Sequence, residues 1–124
     1  MDEILFVSLG AIFGANTRFK FHNKLEKFYL SKAFVILIIN TLASFFLGLF
    51  ISIIEKFSSF NYAYQLTLFF SIGFLGSFST FSSFVYELFD LCMRFKFFKA
   101  LKVSIFSVSL GIISFAFGFL LVNE

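Results

Sequence analysis

The chain is poor in the residues that most enzymes and metal proteins rely on. Its 124 residues include no tryptophan, one cysteine and one histidine, and only 14% are charged. A lone Cys92 excludes an intrachain disulfide, and its place near a helix end reads as packing. A lone His22, in a basic connection with no second histidine and no clustered cysteines, excludes an ordinary transition-metal site. The carboxylates near the apolar segments, Asp2, Glu3, Glu55, Glu87, Asp90 and Glu124, all lie at segment ends. No nucleophile–base pair is apparent, and no glycine-rich phosphate loop with an adjacent lysine. An enzyme is therefore not expected. A small proton-coupled multidrug exporter is disfavoured too, because it needs a carboxylate embedded in its first helix and Asp2 and Glu3 precede that span. A non-transporting membrane subunit is the other alternative.

What the chain does have is apolar surface. It is 60% hydrophobic with 25 phenylalanines, and its mean hydropathy is +0.98. Soluble domains run at about 45–50% apolar and about 25% charged, so an integral membrane protein is expected. The phenylalanine excess fits a codon bias from an AT-rich genome. Four apolar segments predict helices at about 4–21, 33–54, 64–89 and 103–122, in one domain spanning 1–124. The start, Met-Asp-Glu, is acidic where a secretory signal would be basic, so the first segment is expected to be retained. The runs are too long and too uniformly apolar for the alternating strands of a membrane barrel. The expected fold is all-α: four transmembrane helices with a break in the third, and short connections.

The net charge of +3 is placed for lipid rather than for nucleic acid. Nine of the ten Lys and Arg residues flank the 1–2 and 3–4 connections, and only Lys56 lies in the opposite one. By the positive-inside rule those two connections face the cytoplasm and both termini face out.

Small and polar residues recur at helical spacing. Gly10, Gly14 and Arg18 share a face of helix one; Asn40, Ser44 and Gly48 share one of helix two; Ser104, Ser107, Gly111, Ser114 and Gly118 do so on helix four. Small faces allow membrane helices to approach closely, because packing drives their association. Such density suggests a second copy. Arg18 is either a snorkelling anchor or a fixed charge that draws anions. Asn40 either bonds a neighbouring helix or offers its N–H donors to an anion.

Helix three is unlike the others. From 73 to 84 the chain reads Gly-Phe-Leu-Gly-Ser-Phe-Ser-Thr-Phe-Ser-Ser-Phe. Hydrocarbon tolerates such backbone irregularity and clustered hydroxyls only where protein or water surrounds them. Glycines and serines permit a helix break that frees carbonyls for a cation. Phe81 and Phe84, three apart, share a face; they are either core packing or rings whose positive edges face an anion. Thr80 and Ser83 add hydroxyl donors.

These residues together resemble the CrcB/Fluc family of fluoride channels. Gly-Ala-Asn-Thr-Arg at 14–18, the Asn40…Ser44…Gly48 spacing, and the 73–84 run followed by Glu87 are similar to that family's signatures. The resemblance spans all four helices. It implies antiparallel pairing, with itself or with an oppositely oriented paralogue. It also implies two pathways per dimer and passive, selective fluoride export across a bacterial inner membrane, protecting the cell. By the same resemblance Asn40 is a fluoride donor and Phe81 and Phe84 are pore rings. Ser83 and Ser107 are hydroxyl contacts, and Arg18 is a vestibule cation. A structural sodium ion is expected on the backbone carbonyls of Gly76 and Ser79 at the dimer axis. The chain departs from the pattern at Ser77 and Ser79, where the family has Gly and Thr, and at Ile36 and Val103, where Thr and Tyr are common. The path is therefore expected to be less polar at two points. The strong charge asymmetry favours one fixed orientation and hence an oppositely oriented partner.

Overall fold

In the computed structural model, residues 2–28, 32–56 and 62–123 are described. Without water, a bilayer forces backbone polar groups to pair within their own segment, and the described residues are helical almost throughout. Helix α1 is Asp2–Glu26 and α2 is Lys32–Lys56. The third segment begins as α3, Ala63–Leu66, and widens into a π-helical run, Thr67–Leu75. It tightens again at α4, Gly76–Phe78, breaks at Ser79 and Thr80, and resumes as α5, Phe81–Met93. Helix α6 is Phe97–Asn123.

Three of these segments are long and apolar enough to cross a bilayer: Lys32–Lys56, Ala63–Met93 and Phe97–Val122. The chain is a multi-pass membrane protein. Helix α1 is as long as α2, but its last third carries Arg18, Lys20 and Lys24, and it is not among the three. The helices overrun the apolar segments at both basic ends, because hydropathy marks what sits in hydrocarbon whereas a helix continues into the polar layer.

Two pairings hold the bundle. In the first, α1 lies on the π-helical run, with backbone against backbone. A Cβ on Gly10 would collide with the Phe69 carbonyl, and one on Gly14 with the Phe74 carbonyl and Ser77 Oγ. Phe69 and Phe74 are five residues apart, one π-turn, so the widened helix presents both to the glycine face. In the second pairing, α2 lies along α6. Gly48 faces the Phe115 carbonyl and Gly118 faces that of Phe45, so each helix contributes a glycine where the other's backbone arrives. Between the pairs sits a small core of Val35, Ile39, Ala43 and Phe78, with Phe21 and Phe74 against it. Phe78 stacks on Phe74 at 6.2 Å and takes the edge of Phe21 at 6.0 Å.

The reversal into α6 is a Schellman motif: Lys96 N–H donates to Leu91 O (2.9 Å) and Phe95 N–H to Cys92 O (3.1 Å). Phe95 holds φ = 60°, a position usually given to glycine. At the opposite end Lys56 Nζ donates to the Val122 carbonyl at 3.1 Å. That oxygen is one of the orphan acceptors at a helix C-terminus, where the dipole also favours a cation.

Candidate functional site

The break in the third segment is built by Asn40. The sequence has no proline, so no ring forces the kink. Ser79 instead turns to an extended conformation (φ −72°, ψ 157°), as does Thr80 (φ −138°, ψ 111°). Asn40, on α2, then takes both main-chain groups of Thr80. Its Nδ2 donates to Thr80 O at 3.0 Å, and Thr80 N–H donates to its Oδ1 at 2.8 Å. In an unbroken helix Thr80 N–H would serve the Gly76 carbonyl, so Asn40 frees that carbonyl. Thr80 caps the next helix, its Oγ1 accepting from Ser83 N–H at 3.3 Å.

Asn40 is thus committed to a neighbouring helix and yet keeps one N–H. Of its two amide hydrogens one is used by Thr80. The other belongs to a side chain lining a groove of about 320 Å³, walled by Ser44, Ser71, Gly76, Ser79, Thr80 and Phe81 among others. Ser71 Oγ is buried without a partner among the described residues. A hydroxyl left so in hydrocarbon would cost free energy unless water, an ion or a second chain meets it. This Ser71 was missed by sequence reading. Its place within the π-helical run, whose register is not a simple period, hid which face it occupies.

The remaining expected site residues fall into three places. Phe81 lies in this groove and is 78% exposed. Its ring is 6.5 Å from that of Phe84 at 40°, so the two share a face. Arg18 reaches from α1 to the Ser79 carbonyl at a long 3.5 Å, so its charge stands beside the break. Ser83 lies apart from Asn40, in a recess of about 420 Å³ with His22, Glu26, Lys32, Ile36 and Glu87; His22 Nδ1 is 3.5 Å from Glu26 Oε1 there. Ser107 lies on the α2–α6 seam with Ser44 and Gly111. Of the two departures, Ile36 is buried and Val103 lines the basic end of the seam.

Among the described residues of one chain, the donors line open grooves rather than an enclosed passage. The face carrying Phe81, Ser82 and Ser83 is exposed, and so are Ile105, Phe106, Ile112, Ile113 and Phe117 on α6.

Residues 5–119 match the family described as CrcB-like protein, Camphor Resistance (CrcB). The chain is 65% identical over 121 residues to the fluoride-specific ion channel FluC 2 of Prochlorococcus marinus strain NATL2A, covering 98% of each chain. It is 37% identical to FluC 2 of Prochlorococcus marinus subsp. pastoris, over 94% of this chain and 88% of that one. To the fluoride-specific ion channel FluC of Ignicoccus hospitalis it is 33% identical, over 95% and 93%. With its glycine-seamed helices, its Asn40-clamped break and these relatives, the chain belongs to the CrcB family.

Proposed function

We propose that the chain is one subunit of a fluoride-specific channel that lets fluoride leave the cytoplasm passively. The observation that carries this reading is the Asn40 clamp. It holds a broken helix open and leaves one amide N–H in a groove beside the exposed Phe81 ring. Fluoride is small and strongly hydrated, so a pore must replace its water with hydrogen donors at close quarters. The spare Asn40 N–H, the ring edges of Phe81 and Phe84, and the hydroxyls of Ser107 and Ser83 are the donors available. Arg18 adds a positive field at the break. The bundle contributes electrostatics and shape and needs no energy source. HF enters neutral, dissociates inside, and the trapped anion leaves down its gradient, which lowers its toxicity.

A single chain leaves such a path incomplete, because Phe81 and Ser83 are exposed and Asn40, Phe84 and Ser107 only partly buried. A second subunit, antiparallel, would close it. With nine of ten cations at one end of the bundle, an oppositely oriented paralogue suits the partner role better than a second copy. The membrane is a bacterial inner membrane.

The break also fits a hard cation. The Gly76 carbonyl has lost its helical donor to Asn40. Open space lies over the Gly76 Cα: a Cβ added there would have Ser71 O, 3.9 Å away, as its nearest neighbour. Among the described residues the Ser79 carbonyl accepts only the long Arg18 contact. Gly76 and Ser79 would supply two oxygens, and the partner the rest, for a structural sodium ion, which would tie the two breaks together.

Fluoride efflux from proteoliposomes tests the proposal, with the protein alone and with a candidate partner. Fast efflux with chloride excluded is expected. Absence of fluoride flux in both preparations, or equal chloride flux, would overturn it.

A further inference from the structure

The geometry points to a cationic mouth, formed by Lys99 and Lys102, that gathers small anions at the basic end of the α2–α6 seam and feeds them toward Ser107. This rests on the channel reading above and assigns a role to two residues outside it. Helices α2 and α6 both start at the basic end and run side by side. Ser44 lies level with Gly111, and Gly48 with Phe115. On α6, Lys99, Val103, Ser107 and Gly111 recur every four residues and so share one face.

Three recesses along this seam share residues. The first, of about 670 Å³, has Lys99, Lys102 and Ser107 in its lining. The second holds Ser107, Gly111 and Ser44. The third holds Ser44, Asn40 and Phe81. Ser107 belongs to the first and second, and Ser44 to the second and third. The three recesses therefore adjoin through Ser107 and Ser44.

At the mouth the two ammonium groups are one turn apart on an otherwise apolar wall of Ala33, Leu37, Val103 and Phe106. The ion pairs among the described residues are His22–Glu26 and Arg94–Asp90, so no described carboxylate neutralises either lysine. Lys102 Nζ rests 5.4 Å from the Phe98 ring centroid, a contact that does not cancel its charge.

Eight residues of helix separate Lys99 from Ser107 and five separate Lys102 from it, about 12 and about 8 Å along the axis, so the reach of their field is set by salt. The lysines raise the concentration of any small anion at the entrance, and a field common to all monovalent anions does not distinguish fluoride from chloride. They act on capture at low fluoride, with selectivity unchanged.

The test is fluoride efflux at low fluoride for Lys99→Gln/Lys102→Gln, against wild type and against Lys20→Gln/Lys24→Gln, which removes equal charge from the end of α1. At low ionic strength the Lys99/Lys102 pair is expected to lose about fivefold in rate. The loss should vanish near 0.5 M salt, where the Debye length is on the order of 4 Å. Lys99→Arg/Lys102→Arg should restore it. Rates at saturating fluoride and chloride exclusion should match wild type. Wild-type rates in the double variant at low salt, or an equal loss in the α1 control, would overturn the inference while the channel reading stands. A loss confined to vesicles with anionic phospholipid would assign the lysines to headgroups and overturn it as well. A wild type that passes no fluoride would overturn both.

Discussion

The third membrane segment has two halves that differ in what holds them. From Ala63 to Phe78 it lies on α1 so closely that backbone meets backbone at Gly10 and Gly14, and Ser77 Oγ donates to Ala11 O at 3.0 Å. From Phe81 to Met93 the segment buries a single residue, Leu91. It is tethered at its start by Asn40 and Thr80, and at its end by the turn into α6. The first half is scaffold, fixed by packing within one chain. The second stays largely exposed in one chain, and one asparagine sets its direction.

The largest expected effect removes the scaffold. Gly14→Val puts side-chain atoms where the Phe74 carbonyl and Ser77 Oγ now stand. Both are part of a packed helix, so the pair must separate. We expect little folded protein, read as loss of a monodisperse peak in detergent. A well-folded Gly14→Val protein would show that the two halves are not held differently.

Asn40→Ala strikes the junction. It leaves the Thr80 N–H unpaired beside the core and takes one donor from the Thr80 carbonyl, a cost of about 1–3 kcal/mol for the orphaned group. Both a lower unfolding temperature and loss of fluoride flux are expected. Loss of flux with unchanged stability would mean that Asn40 serves the ion alone. Phe81→Ile probes the second half by itself. Because that ring is 78% exposed in one chain, flux should fall at least tenfold with the subunit's fold intact, by circular dichroism and thermal unfolding. A variant with wild-type flux would remove the ring from the pore.

Two smaller changes sharpen the contrast. Thr80→Ala removes the cap of α5 and should cost about 1 kcal/mol, read by thermal unfolding. Phe95→Gly should stabilise by about 1 kcal/mol, because it relieves a left-handed conformation at an exposed turn. If Phe95→Gly destabilises instead, the ring is held by something outside the chain.

Much of this was legible in the residues, and what was not has physical reasons. The small-residue stripes predicted seams, because a glycine at every fourth position has few uses in hydrocarbon except close approach. The Gly/Ser/Thr cluster at 73–84 predicted the break. What pins the break was hidden: nothing in the spacing around Asn40 says that its partner is Thr80, forty residues on. The π-helical run was hidden as well, since its register answers to the Gly10/Gly14 face rather than to any period of its own. Ser83 and Asn40 were grouped as donors on one path; within a single chain they line separate recesses. The turn of α5 after the break carries Ser83 away, and a sequence motif cannot display that rotation.

Lys56 is the lone cation that dissents from the charge asymmetry, and its ammonium is tied to the Val122 carbonyl. Its place is thus accounted for by carpentry at the tail of α6, and it need not be counted as a signpost for which way the polypeptide threads the bilayer. Exchanging it for glutamine would leave the remaining signposts unanimous, while loosening the joint between the second and last helices.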